Sequence, residues 1–157
     1  MSGPASTATG QRPPEFERIR EWIRPGSRIL DLGCGDGTLL AYLAETRGTT
    51  GYGLEISDAN ILSCVHKGVN VLQTDLDRGL GDFDADSFDV VIMSQTLQAI
   101  RRPDRLVEEM LRVGRQGIVT FPNFAYWRLR LHLALRGRMP VSDVLPHNWY
   151  DTPNIHL

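Results

Sequence analysis

Two cysteines, Cys34 and Cys64, are all that this 157-residue chain contains, and neither stands in a Cys-x-x-Cys or Cys/His ligand spacing. A disulfide framework and a metal site are therefore not expected, and a reducing cytoplasm is the expected compartment. No apolar run reaches membrane-spanning length, so no membrane association is expected. Residues Met1 to Gly10 are small and polar with no hydrophobic region, which reads as a disordered tail over residues 1–13 and not as a secretory leader. Net charge is almost missing too: 17 Lys and Arg against 19 Asp and Glu leave −2, too little to draw the chain to nucleic acid. There is no internal repeat. No serine sits in a Gly-x-Ser-x-Gly elbow, since Ser94 lies in Ser-Gln-Thr, and no Ser/His/Asp grouping for acyl transfer is legible.

What is present suits one α/β domain over residues 14–157, because 41% hydrophobic content can fill one core but leaves no room for a second. Pro14 to Ile23 places Phe16, Ile19 and Ile23 on one helical stripe, and Pro25-Gly26-Ser27 stops it. Ile29, Leu30 and Leu32 read as a buried strand, Thr38 to Glu45 as a helix, Thr50 to Ile56 as a second strand and Asp58 to Lys67 as a helix capped by Ser57 or Asp58. Val69 to Thr74, Ser87 to Met93 and Gly117 to Phe121 complete five strands, with a helix over Pro103 to Val113 between the last two. Strand and helix alternate throughout. That pattern predicts a doubly wound, mostly parallel sheet.

The most informative stretch is Arg28-Ile-Leu-Asp-Leu-Gly-Cys-Gly-Asp-Gly37, an apolar strand that ends in Asp31 and breaks into a turn with glycine at every second position. Glycine there lets a ligand approach the backbone, while the N–H groups at the start of the next helix point into the crevice. Glu55 ends the second strand at about the spacing expected of a ribose-binding acid. Asp75-Leu76 follows the third. Three successive strands thus bring acids to one edge of the sheet.

This Asp-x-Gly-x-Gly-x-Gly pattern, with an acid after each of the next two strands, resembles the class I methyltransferases, whose Rossmann-like fold binds S-adenosylmethionine. It differs from the Gly-x-Gly-x-x-Gly of dinucleotide sites. The chemistry agrees: Asp31 and Asp36 would repel a pyrophosphate and favour an ammonium and a sulfonium. The resemblance implies that Asp31 and Gly33 face the methionine end, Glu55 the ribose hydroxyls, and Asp75 with the Leu76 backbone the adenine. The candidate cofactor-binding set is Asp31, Gly33, Cys34, Gly35, Gly37, Glu55, Ile56, Asp75, Leu76, Ser94 and Gln95, for S-adenosylmethionine or S-adenosylhomocysteine. A nicotinamide-binding oxidoreductase is the most distant alternative.

Longer motifs narrow the resemblance. Ser94-Gln-Thr-Leu-Gln-Ala-Ile-Arg-Arg-Pro-Asp-Arg105, Phe121-Pro-Asn-Phe124, Arg136-Gly-Arg-Met-Pro140 and Trp149 to Leu157 look like the MetW family of bacterial methionine-biosynthesis proteins. That family implies association with homoserine O-acyltransferase as a protein partner, so the chain is expected to act as an accessory subunit, with an active small-molecule methyltransferase as the alternative. No catalytic base stands out. Ser94, Gln95 and Gln98 take up protons poorly, while His132, His147 and His156 lie in segments that favour structural or exposed roles. Arg128 to Arg136 reads as a helix with Leu129 and Leu133 on one side and Leu131 and Leu135 almost opposite, which suggests a protein interface or cover from the rest of the domain. A homo-oligomer is a further option. Class I methyltransferases continue past the fifth strand with a helix and a closing hairpin; the sequence is expected to lack that hairpin, so that either the domain is C-terminally incomplete or something else covers the fifth strand as an edge.

Overall fold

The computed structural model describes residues 13–121 together with 131, 134 and 135, and of residue 98 only the backbone. Helix α1 (Pro14–Trp22) leads into strand β1 (Arg28–Leu32), α2 (Thr38–Arg47), β2 (Thr50–Glu55), α3 (Asp58–His66), β3 (Val71–Gln73), β4 (Phe88–Ser94), α4 (Pro103–Val113) and β5 (Gly114–Thr120). Single 3-10 turns, Leu76–Arg78 and Leu97–Ala99, follow β3 and β4.

The strands pair in the order β3-β2-β1-β4-β5, every pair parallel. The chain winds outward from β1 through β2 to β3, then returns to the other side of β1 with β4. Between β1 and β4 the winding therefore reverses, and a crevice opens at the carboxyl ends of these strands, where α/β sheets hold ligands. Asp31, near the end of β1, faces Gly53 of β2 and Ile92 of β4 across the ladder.

Period-two alternation divides the core between the two faces. Ile29, Val90 and Ile92 pack with Ile19, Leu39, Leu40, Leu43 and Cys64 beneath α1, α2 and α3. Leu30, Leu32, Leu54, Val91 and Met93 pack with Leu106, Met110 and Val113 of α4, and with Leu76 and Leu80 from the segment after β3. Each wholly buried leucine or isoleucine contributes about 1.5–3 kcal/mol, so the two layers hold the sheet from both sides. Helix α2 starts on Gly37, whose φ of +76° is left-handed; a Cβ there would also meet the Cys64 sulfur at 2.8 Å.

Two strands differ from the sequence expectation. β3 keeps only Val71–Gln73 of the Val69 to Thr74 run, because Val69 is taken up by the turn that ends α3, its N–H donating to the Cys64 carbonyl at 2.9 Å. β5 begins at Gly114, three residues early, directly where α4 ends and with no connecting residue. Its opening Gly-Arg-Gln-Gly has no apolar pattern to announce a strand. Pairing with Phe88 and Val90 of β4 imposes one nonetheless. Most of the Arg128 to Arg136 segment, and the question of a closing hairpin, lie outside the described residues. Leu131, Ala134 and Leu135 are helical and exposed.

Candidate functional site

The cleft at the switch point has a volume of about 490 Å3. Gly33, Glu55, Ile56, Asp75, Leu76 and Gln95 of the candidate set line it, joined by Thr74, Asp77, Thr96, Ile100 and Arg101, which the sequence reading did not select. Cys34, Gly35 and Gly37 form the turn beside it, and Asp31 sits behind Gly33 on β1.

Asp31 is 2% exposed, and its carboxylate accepts no hydrogen bond among the described residues. Burial, with the charge of Glu55 added, pushes its pKa up to about 7. A carboxylate in that position gains most from a cation brought to it, because burial without a partner is the costly state. Glu55, one strand over, is held differently. Its Oε2 accepts the Gly35 N–H at 2.9 Å, and Oε1 accepts the N–H groups of Ile56 and Ser57 at 2.8 and 2.9 Å. Glu55 therefore fastens the glycine turn to the end of β2. A carboxylate offers about four acceptor positions, so three bonds still leave room for a ligand hydroxyl.

The glycine turn is tight for a steric reason. Gly33 has φ of +75°, and a Cβ on it would lie 2.6 Å from both Oγ1 and Cγ2 of Thr96. Beneath the turn, the Cys34 and Cys64 sulfurs lie 3.8 Å apart as free thiols, and the Cys64 thiol donates to the Gly35 carbonyl at 3.3 Å. Burial pushes both thiols up, so neither is a nucleophile; they are the floor of the turn. Gln95 holds the opposite wall in a left-handed conformation, φ +55°, uncommon for a residue with a side chain. Its backbone N–H donates to Thr120 and its side chain to Glu15 of α1.

Three expectations are modified. Asp36 does not add free negative charge to the rim: burial raises its pKa, but Lys67 and Thr38 outweigh that and hold the carboxyl below its ordinary range. Ser94 pairs with the Thr120 hydroxyl at 2.9 Å and does not line the cleft, because the β4–β5 ladder brings these two residues together. Asp75 is at the cleft, yet its side chain already caps the following 3-10 turn by accepting the Asp77 N–H at 3.0 Å. Thr96, Ile100 and Arg101 escaped notice because residues 95–102 carry no helical or strand period. Their signals were position, immediately after an apolar strand, and membership of the Ser94 to Arg105 motif, neither of which says which side chains reach the cleft.

Among the described residues no group of three His, Cys, Asp or Glu could hold a metal ion, and no helix is long and apolar enough to cross a membrane. Glu55 on the wall of the cleft and Asp31 buried close to it on β1 fit a nucleoside that also carries positive charge. Both their places and their hydrogen-bonding states suit that chemistry.

Comparison with known proteins agrees with this architecture. The chain is 43% identical over 147 residues to the bifunctional methionine biosynthesis protein MetXA/MetW of Rhodopirellula baltica, matching 88% of this chain and 24% of that one. It is 32% identical over 135 residues to a ubiquinone biosynthesis O-methyltransferase of Hahella chejuensis, covering 80% of this chain and 56% of the relative. The chain thus spans about a quarter to about half the length of these curated relatives. An S-adenosylmethionine dependent methyltransferase from Mesorhizobium loti superposes with a TM-score of 0.57 at 25% identity, over 64% of this chain and 48% of that one. The family profile described as Methionine biosynthesis protein MetW matches residues 13–157. With a Rossmann-like fold of the class I methyltransferase type and this match along almost its whole length, the chain belongs to the MetW family of methionine biosynthesis proteins.

Proposed function

We propose that this chain binds S-adenosylmethionine or S-adenosylhomocysteine in the β1–β4 cleft and serves, in the cytoplasm, as an accessory subunit of a homoserine O-acyltransferase. The observation that carries the partner is the Rhodopirellula baltica relative, which is named as one bifunctional chain joining MetXA to a part like this one. Fusion holds two domains at a high effective concentration, which favours contact between them. In this reading MetXA is the acyltransferase.

The residues suit binding better than turnover. Asp31 would stand against the cationic methionine end, Glu55 against the ribose hydroxyls and the Asp75-Leu76 segment against the adenine. Bound S-adenosylmethionine supplies an electrophilic methyl group on a sulfonium. Of the residues lining the described cleft, Gln95, Thr96 and Arg101 take up no proton readily at neutral pH, Glu55 is committed to the glycine turn and Asp75 to a cap. Because this nucleoside is made from methionine, its occupancy would report pathway output to the partner, provided its affinity differs between the free and assembled states. Affinity for S-adenosylhomocysteine, titrated with and without the acyltransferase, should differ at least fivefold. Equal values remove the sensing role.

A second reading, an active small-molecule methyltransferase, is favoured by the likeness to the Hahella chejuensis O-methyltransferase. Incubation with labelled methyl donor and cell extract, followed by product analysis, separates the two. Thermal shift with S-adenosylhomocysteine against NAD disposes of a nicotinamide site, for which the acids around the glycine turn are poorly suited.

A further inference from the structure

On the α4 face of the sheet a second cavity, of about 320 Å3, opens beside the nucleoside cleft and shares Leu76, Asp77 and Ile100 with it. Its character is the reverse of its neighbour's. Arg78, from the turn after β3, and Arg102 and Arg105, from the start of α4, line it. Among the described residues none of the three makes a hydrogen bond or ion pair through its guanidinium.

The acids on the same wall are already matched. Asp77 accepts the Arg101 N–H at 3.0 Å, and its other oxygen lies 3.7 Å from the Arg101 guanidinium. Glu109 is held by two bonds from Arg112, at 2.7 and 3.2 Å. Arg112 in turn is fixed by the Phe83 and Leu80 carbonyls, so it is not free to swing toward the cavity. Among the described residues, three guanidinium groups therefore line the cavity unpaired, while its two acids are matched by other arginines. The 11-residue helix α4 begins there too, adding the positive end of its dipole. The floor is apolar, formed by the buried Leu76, Leu80 and Leu106.

We propose that this cavity is a binding site for a small polyanion bearing clustered phosphoryl or carboxylate oxygens and an apolar portion, separate from the nucleoside cleft. The planar guanidinium fork matches such oxygens two at a time, and three forks around one space select for more than one negative charge. The volume lies at the lower end of the range that small-molecule sites occupy. Charge separates the two cavities: the acidic one takes a cation and the basic one an anion. Because they share a wall, occupation of the second can alter the first.

The test is calorimetric titration of the full chain with sodium pyrophosphate and, separately, with sodium citrate, each at two concentrations of potassium chloride. No nucleoside is present, so the outcome is independent of the function proposed above. At least one probe should bind, more weakly at the higher salt, and the exposed pair Arg78→Gln/Arg105→Gln should weaken it at least tenfold while the melting temperature holds. Arg115→Gln, on β5 and away from the cavity, should bind as the parent does. Pyrophosphate alone assigns a phosphoryl ligand, citrate alone a carboxylate, and both together a site selected by charge. No heat with either probe, or the same affinity in the Arg78/Arg105 variant, overturns the proposal.

Discussion

The carboxyl ends of β1 and β2 each carry a buried acid, and the structure treats the two in opposite ways. Glu55 accepts from three backbone N–H groups, whereas Asp31 has no hydrogen-bond partner among the described residues. The contrast separates what builds the turn from what the turn was built to hold. Glu55 is part of the frame and only then a wall of the cleft. Asp31 costs the fold free energy, and it is the position where a bound cation would return the most.

Breaking that contrast should have its largest effect through Asp31. Its folded pKa, about 7, stands above its ordinary 3.8, so the protonated form is the stable one in the fold. The sign follows: stability from this group is fully present below pH 3.8 and is lost as pH rises through 7, at 1.36 kcal/mol per unit, or about 4 kcal/mol in all. Urea denaturation of Asp31→Asn at pH 5 and pH 8 should show that slope flattened. Affinity for the cationic nucleoside should run the other way, falling about tenfold per unit as pH drops below 7, since only the ionised Asp31 attracts it. A wild-type binding constant that ignores pH between 5.5 and 7.5 removes Asp31 from the site.

The next effect belongs to Glu55. Glu55→Ala leaves three N–H donors unmatched in a half-buried turn and should cost about 3 kcal/mol of folding stability, together with about 2–4 kcal/mol of nucleoside binding. Glu55→Gln, which keeps an acceptor, should recover much of the stability but little of the binding. If Glu55→Ala melts like the parent, the glycine turn does not depend on it. Gly33→Ala should cost about 2 kcal/mol, because the left-handed backbone and the approach to Thr96 both oppose a Cβ. Paired with Thr96→Ala, the steric part should be relieved and the backbone part should stay. Smallest is Asp75→Ala, about 1 kcal/mol for a lost cap, read as a thermal shift.

Much of this was legible in the residues, and the exceptions have causes. Elements with a clear period announced themselves: α4 runs from Pro103 to Val113 as its proline start and apolar spacing indicate, and the glycine turn follows β1 as its alternate glycines require. Asp31, Glu55 and Asp75 were visible as acids at strand ends. Their hydrogen-bonding states were not, since those depend on which backbone N–H the fold presents, as with Gly35 twenty residues from Glu55. The arginine-lined cavity was invisible for a related reason. Arg78 and the Arg102–Arg105 pair come from separate segments, each an ordinary polar stretch, and only packing on Leu106 and Leu80 brings them to one space.

The abrupt passage from Val113 of α4 to Gly114 of β5 also limits how such a chain can vary in length. With no spacer, an added residue there would move Ile118 out of the cluster beneath α1, α2 and α3 and shift the whole β4–β5 ladder by one place, exchanging the side chains of β5 between the two faces of the sheet. Gains and losses of sequence on this side of the molecule are therefore expected at Asp84 and Ala85, which are exposed and lie beyond the Leu80–Phe83 turn that holds Arg112. A peptide tag grafted between Asp84 and Ala85, both exposed, should be carried without harm, and the same tag at Gly114 should not.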